Sequence, residues 1–196
     1  ATNFMDERQH QTPPGAMDEA ELHHQLEQLH TLSYGWALNC CASNPNDAED
    51  ILQTVYQRIF EGRARYHGRS AFKTWLFAVI RYTAAGERRR RWIRLLRLGG
   101  YQKEHERDSQ PPDRGEAVEA DEMAGTFRSA LQKLPRRQSE VLHLVFYQSL
   151  TVENAAVAMG VSVGSARTHY DRGKRRLREI LNETGLFDEY KQRPHS

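Results

Sequence analysis

Residues 151–176 read TVENAAVAMGVSVGSARTHYDRGKRR, and their pattern decides the fold of the C-terminal part of the chain. Thr151 can cap a helix, and Val152, Ala155, Ala156 and Met159 follow at helical spacing. The two adjacent alanines permit a close helix crossing, and Gly160-Val161-Ser162 supplies a three-residue turn. In the helix that follows, Val163, Ala166, Tyr170, Gly173 and Leu177 recur at spacings of 3, 4, 3 and 4, which makes one stripe for burial. The opposite face carries Arg167, Thr168, Asp171, Arg172, Lys174, Arg175 and Arg178. This is a helix-turn-helix. A buried stripe backed by a basic, hydrogen-bonding face suits the DNA major groove. An ordinary solvated helix is the plainer alternative, and the one-sided positive charge favours DNA.

Outward from this motif the chain stays helical. Prolines occur only at 13, 14, 45, 111, 112, 135 and 194, which leaves 46–110 and 136–193 proline-free. There is no Asn-Gly or Asp-Gly hairpin turn and no sustained apolar–polar alternation, so the fold class is all-α. Phe127, Ala130, Leu131 and Leu134 predict one helix. Pro135 starts the next, with Val141, Leu142, Leu144 and Val145 as its buried face. Nearer the N-terminus, Leu22, Leu26, Leu29 and Leu32 share a helix face. Pro45 interrupts, and Asn46 or Asp47 can cap a helix from Ala48 to Phe60 with Ile51, Leu52, Val55, Ile59 and Phe60 inside. Gly62 and Gly68 mark turns. Ser70 can cap a third helix that buries Phe72, Trp75, Leu76, Val79 and Ile80 and ends in Arg88–Arg91, Arg94 and Arg97.

Two small helical domains are therefore expected, at 18–97 and 121–187, joined by a flexible acidic linker at 98–120. A disordered segment at 1–17 and a tail at 188–196 flank them. The linker holds Gly99-Gly100, Pro111-Pro112 and Gly115, and residues 106–122 carry seven acids against two arginines. Its 24 residues from Leu95 to Val118 span about 80 Å extended and roughly 27 Å as a coil.

Composition removes several function classes. Mean hydropathy is -0.79, and no apolar run approaches the roughly 20 residues of a membrane span. The polar N-terminus lacks the apolar core of a secretory signal. Two adjacent cysteines, Cys40 and Cys41, cannot staple a secreted fold, and a reducing cytoplasm is the expected compartment. With His23, His24 and His30 they match no zinc spacing, so no metal site is expected. No phosphate-binding glycine loop, HExxH, GxSxG or nucleophile–base signature is present, and neither an enzyme activity nor a cofactor is expected.

Two charge clusters keep two explanations each. Asp47, Glu49 and Asp50 at a helix start either complement the helix dipole or dock a basic partner. Arg88, Arg89, Arg90 and Arg91 are either a solvated run or contacts to phosphate.

The order of these features resembles the bacterial extracytoplasmic-function sigma factors, which belong to the sigma-70 superfamily and keep only regions 2 and 4. Asp47-Ala-Glu-Asp-Ile-Leu-Gln53 resembles the region 2 helix that docks on the coiled coil of the largest polymerase subunit. Ser70-Ala-Phe-Lys-Thr-Trp-Leu76, followed by Arg81-Tyr-Thr83 and the arginine run, resembles the segment that melts and reads the −10 element. Leu134-Pro-Arg-Arg-Gln-Ser-Glu-Val-Leu142 and the helix-turn-helix resemble region 4, which reads the −35 element. In places the chain departs from the family pattern: Tyr82 stands where many members have asparagine, and Thr54 where an acid is usual.

The resemblance implies a transcription initiation factor that brings core RNA polymerase to promoters. It implies docking through Asp47, Glu49, Asp50 and Gln53 on the beta-prime coiled coil, with further contact to the beta subunit. It implies −10 contacts by Tyr66, His67, Arg69, Ser70, Lys73, Tyr82, Arg88, Arg89, Arg90 and Arg91. It implies −35 contacts by Ser165, Arg167, Thr168, Asp171, Arg172, Lys174 and Arg175. A membrane-anchored anti-sigma factor is the implied regulator, and no small-molecule substrate is implied. The polar loop Tyr66-His-Gly-Arg-Ser70 can take an unstacked base. Phe72 and Trp75 share the stripe of Leu76 and Val79 and belong to the core. A conventional helix-turn-helix regulator would share the second domain but has no use for the motifs at 47–53 and 70–75.

Overall fold

A computed structural model of the chain describes residues 17–97 and 120–183. The segment 1–16, the linker from 98 to 119 and the stretch from 184 onward lie outside the described residues, and so do the expectations placed on them. Seven helices are described: α1 (Glu19–Cys40), α2 (Pro45–Phe60), α3 (Phe72–Arg97), α4 (Ala120–Gln132), α5 (Arg136–Phe146), α6 (Val152–Met159) and α7 (Val163–Glu183). Among the described residues there is no strand, and no helix is long and apolar enough to cross a membrane.

Local chemistry sets most boundaries. Asp18 caps α1 by accepting from the Glu21 N–H at 2.7 Å, with Glu19 and Glu21 in the positive first turn. The α2 start differs from expectation. Asn44 is the cap, accepting from the Asp47 N–H at 3.1 Å, and Pro45 occupies the first turn. Proline's fixed φ and missing donor fit that first turn, so Pro45 opens the helix instead of interrupting the chain before it. Ser70 does not cap α3. Its hydroxyl donates to the Ala71 carbonyl, and the helix begins at Phe72. Thr151 caps α6 as expected, and Gly160 closes it in the left-handed region at φ 62°, a conformation that glycine adopts without strain.

The first lobe packs α1, α2 and α3 around Leu26, Trp36, Ala37, Ile51, Leu52, Val55, Leu76, Phe77 and Ile80. Trp36 is fully buried and its indole N–H donates to the Phe77 carbonyl at 2.9 Å, so its polar atom is satisfied inside the core. Burying either ring contributes about 1.5–3 kcal/mol. Phe77 was absent from the expected stripe. Trp75 and Val79, which were in it, are only half-buried. Phe60 is exposed and stacks on His23 at 4.6 Å, outside the core assigned to it.

The second lobe packs α4 to α7 around Leu131, Leu134, Val141, Leu142, Leu144, Met159 and Leu177. Val163, expected at the head of the buried stripe, is exposed at the start of α7, where no neighbouring helix covers it. The two lobes touch: α5 lies against α1 and α6 across α3, and their buried side chains form one continuous cluster.

Candidate nucleic-acid interface

Helix α7 is oriented by its buried side. Ala166, Gly173, Leu177, Ile180 and Leu181 face the lobe. A Cβ on Gly173 would sit 3.1 Å from Leu142 Cδ1 and 3.2 Å from Gln138 Cβ, so this glycine sets how closely α7 approaches α5. The Ser162 hydroxyl accepts from the Ser165 N–H at 3.1 Å and caps the helix. With that side fixed, Ser165, Arg167, Thr168, Asp171, Arg172, Lys174, Arg175 and Arg178 are all exposed. They are not equally free. Arg167 pairs with Glu153 on α6 at 2.8 Å, Lys174 lies over the Tyr170 ring at 5.0 Å, and Thr168 donates to the Gly164 carbonyl at 3.0 Å. Arg172 and Arg175 have no ion-pair or hydrogen-bond partner among the described residues, so they can bind an outside acceptor without breaking a contact.

The second expected DNA surface is divided. In the loop before α3, Tyr66 donates to the Ser70 carbonyl at 2.6 Å and packs on Phe72 and Trp75 at ring distances of 5.3 and 5.5 Å. Those contacts hold the loop, while His67 and Arg69 point outward, exposed. Tyr82 is 75% exposed. It edges an open cavity of about 480 Å³ lined by Arg58, Arg63, Ala64, Ala78, Val79 and Thr83. Arg58 and Arg63 were missed at the sequence level, because nothing local marks an arginine on α2 or in the following turn as facing α3.

The arginine run does not act as a unit. Arg89 is exposed without a partner among the described residues, and Arg90 pairs with Glu87 at 3.4 Å. Arg88 is half-buried and donates to the Cys40 carbonyl at 2.6 Å, which compensates the negative end of α1. Burial, and next the neighbouring Arg136, hold its pKa below the usual value. Arg91 forms a two-pronged pair with Asp47 at 2.8 and 3.2 Å. Two residues expected on different surfaces thus bind each other. Glu49, Asp50 and Gln53 remain exposed on α2, without a partner among the described residues. Lys73 is turned toward the other lobe, where it donates to the Gln148 carbonyl at 2.7 Å, and burial lowers its pKa.

Glu140, also missed from sequence, is only 1% exposed and binds Arg81 of the first lobe at 3.1 Å, Arg136 at 2.8 Å and Arg137 at 3.4 Å. A buried carboxylate requires such partners. Cys40 is buried, which pushes its thiol pKa up, and Cys41 is pushed up to about 11 by burial, next by Asp47. No cluster of metal-ligating side chains occurs among the described residues.

The comparisons agree with this layout. Residues 26–94 match the family Sigma-70 region 2, and residues 124–177 match Sigma-70, region 4. The chain is 31% identical over 150 residues to the ECF RNA polymerase sigma factor SigX of Bacillus subtilis, covering 74% of this chain and 77% of that protein. It is 30% identical over 148 residues to EcfG of Rhodopseudomonas palustris, covering 75% and 78%. The fold resembles the sigma factor RpoE from Bartonella quintana, solved with the anti-sigma factor NepR, at a TM-score of 0.67 and 21% identity, over 82% of this chain and 96% of that one. It also resembles CnrH, solved with the cytosolic domain of CnrY, at a TM-score of 0.56 and 16% identity, over 85% and 90%. With both regions matched in order and relatives aligned over most of their length, the chain belongs to the extracytoplasmic-function (ECF) sigma factors of RNA polymerase.

Proposed function

We propose that this sigma factor docks on core polymerase through the exposed Glu49, Asp50 and Gln53 of α2, with Asp47 held back by Arg91 until the partner competes for it. His67, Arg69, Tyr82 and Arg89 line the surface for the melted −10 strand. Arg58 and Arg63 join them beside Tyr82. Region 4 reads the −35 duplex with Arg172 and Arg175 foremost. The observation that carries this division is on α7, whose buried stripe aims outward two arginines that have no partner among the described residues. The factor performs no covalent chemistry. Capture of unstacked bases offsets their unstacking, about a few kcal/mol per step.

An anti-sigma partner is part of the proposal, supported by the complex in which the RpoE neighbour was solved. The place of action is the cytoplasm, where polymerase and DNA meet. Run-off transcription with core polymerase on a promoter library tests the whole assignment. Promoter-specific transcripts that need both core and this chain are expected. DNA binding without core, and no transcripts with it, would favour a conventional helix-turn-helix regulator.

A further inference from the structure

The outward face of α7 carries a single acid in the midst of its bases. Asp171 is exposed and lies one turn from four donors: Arg167 and Thr168 precede it by four and three residues, and Lys174 and Arg175 follow it by three and four. Side chains at these spacings are neighbours on a helix surface and can pair. None of the four pairs with Asp171. Arg167 is bound to Glu153 of α6 at 2.8 Å, and the Thr168 hydroxyl donates to the Gly164 carbonyl at 3.0 Å. Lys174 lies over the Tyr170 ring at 5.0 Å. Arg175 and Asp171 have no ion-pair or hydrogen-bond partner among the described residues. The carboxylate therefore keeps both oxygens open in the middle of a surface that is otherwise positive.

We propose that Asp171 is a specificity-determining residue of region 4, and that it accepts from the exocyclic amino group of a cytosine in the −35 duplex. The proposal rests on the promoter-reading function above and adds the base that this face selects. On a surface that meets phosphates, a carboxylate weakens binding to every sequence by repulsion. That cost is offset only where a donor stands opposite, so the net effect of the acid is discrimination between sequences.

The base follows from what each edge offers. In the major groove cytosine presents its N4 amino donor and no acceptor. Adenine sets its N7 acceptor beside the N6 amino group, thymine presents O4, and guanine presents N7 and O6. An ionised carboxylate only accepts, so cytosine is the one base that meets it without a repulsive neighbour. The guanine paired with that cytosine offers N7 and O6 on the same base-pair edge, an acceptor pair suited to arginine. Arg172, adjacent to Asp171, and Arg175, one turn further on, can supply that arginine without breaking a contact among the described residues.

The test is run-off transcription by the full chain with core polymerase, on promoters randomised over the −35 element, which reads the base preference at each position. The unsubstituted chain is expected to favour cytosine at one position. Asp171→Ala should reduce that preference by about 5- to 150-fold and leave the preferences at other positions in place. Its melting temperature should not fall, because the side chain is exposed and has no partner among the described residues. Asp171→Asn, whose amide sets a donor beside its acceptor, should move the preference toward adenine, whose N6 and N7 it matches. Identical preferences in Asp171→Ala and the unsubstituted chain overturn the proposal. So does an equal change on all sequences, which would make the acid a source of repulsion only. Loss of a preference for adenine, guanine or thymine in place of cytosine overturns it as well, and so does an early melt of Asp171→Ala, which would make the residue structural. If the unsubstituted chain gives no promoter-specific transcripts with core, the promoter-reading function falls first, and base selection by Asp171 falls with it.

Discussion

Replacing Gly173 with alanine tests the packing that aims α7. The substitution has two opposed terms. Alanine is favoured over glycine inside a helix by about 1 kcal/mol. Against this, the new methyl would lie 3.1 Å from Leu142 Cδ1 and 3.2 Å from Gln138 Cβ. Leu142 is fully buried, and a Cβ moves only with its backbone, so neither neighbour can yield freely. Overpacking of this kind costs about 1–3 kcal/mol. The net is a destabilisation of about 1 kcal/mol, which lowers the melting temperature by about 2–4 °C if the two packed lobes melt as one unit of this size. Gly164 is the internal control. It lies in the first turn of the same helix, and an added Cβ there meets nothing within 4 Å. Gly164→Ala should therefore stabilise, by up to about 1 kcal/mol. Thermal melting of the two variants by circular dichroism should move in opposite directions. If Gly173→Ala melts at or above the unsubstituted chain, α7 does not press on α5 as described, and the outward face assigned to Arg172 and Arg175 loses its basis.

Arg172→Ala should leave the melting temperature unchanged and lose −35 discrimination by roughly 1–3 kcal/mol if the arginine reads a base edge, or weaken all sequences alike if it contacts phosphate only. Tyr170→Ala should instead lower stability by about 2 kcal/mol, because its half-buried ring packs near Phe146; the reverse outcome would mean a rotated helix. Replacing Arg89 and Arg90 together with alanine should reduce the salt slope of promoter binding by about 2 units if both touch duplex phosphates, and an unchanged slope would leave them as solvated charge. Burial, and next Arg128, depress the His143 pKa from 6.5 to about 4. The unfolded chain binds the extra proton between those values, so stability is fully present above pH 6.5 and falls as the pH drops toward 4, by about 3 kcal/mol in all. Urea titrations of His143→Leu across that range should show a shallower decline, and an identical slope would assign the acid sensitivity elsewhere.

Features that act within one turn of the chain were legible in the sequence. The Thr151 cap, the Gly160 turn, the exposed basic face of α7 and the proline-free helical stretches all follow from spacing and from side chains near in sequence. Where a local rule allows two outcomes, contacts beyond the rule decide between them. Pro45 can break a helix or open one, and only the reach of Asn44 to the Asp47 N–H decides between them. Phe60 satisfies the apolar spacing of α2, yet it lies at the rim, half exposed against the His23 ring of α1, and Phe77 is fully buried outside that spacing, its carbonyl accepting from the Trp36 indole. Periodicity finds a helix's apolar face; it does not say where the neighbouring helix ends.

Charge shows the sharper division. A sequence displays which residues are ionised, and pairing depends on contacts between positions far apart along the chain. Asp47 and Arg91 lie 44 residues apart and Arg81 and Glu140 lie 59 apart. The fold alone tied Asp47, Arg88, Arg91 and Lys73 to partners within the chain, and left Glu49, Asp50, Arg89, Arg172 and Arg175 without a partner among the described residues. The amino-acid order was enough for two helical modules, their family and the outward face of α7, because helix periodicity and capping are short-range. Which charges remain for a partner, and that region 4 rests on region 2 at all, was decided by the tertiary structure, because burial and ion pairing depend on distance in space.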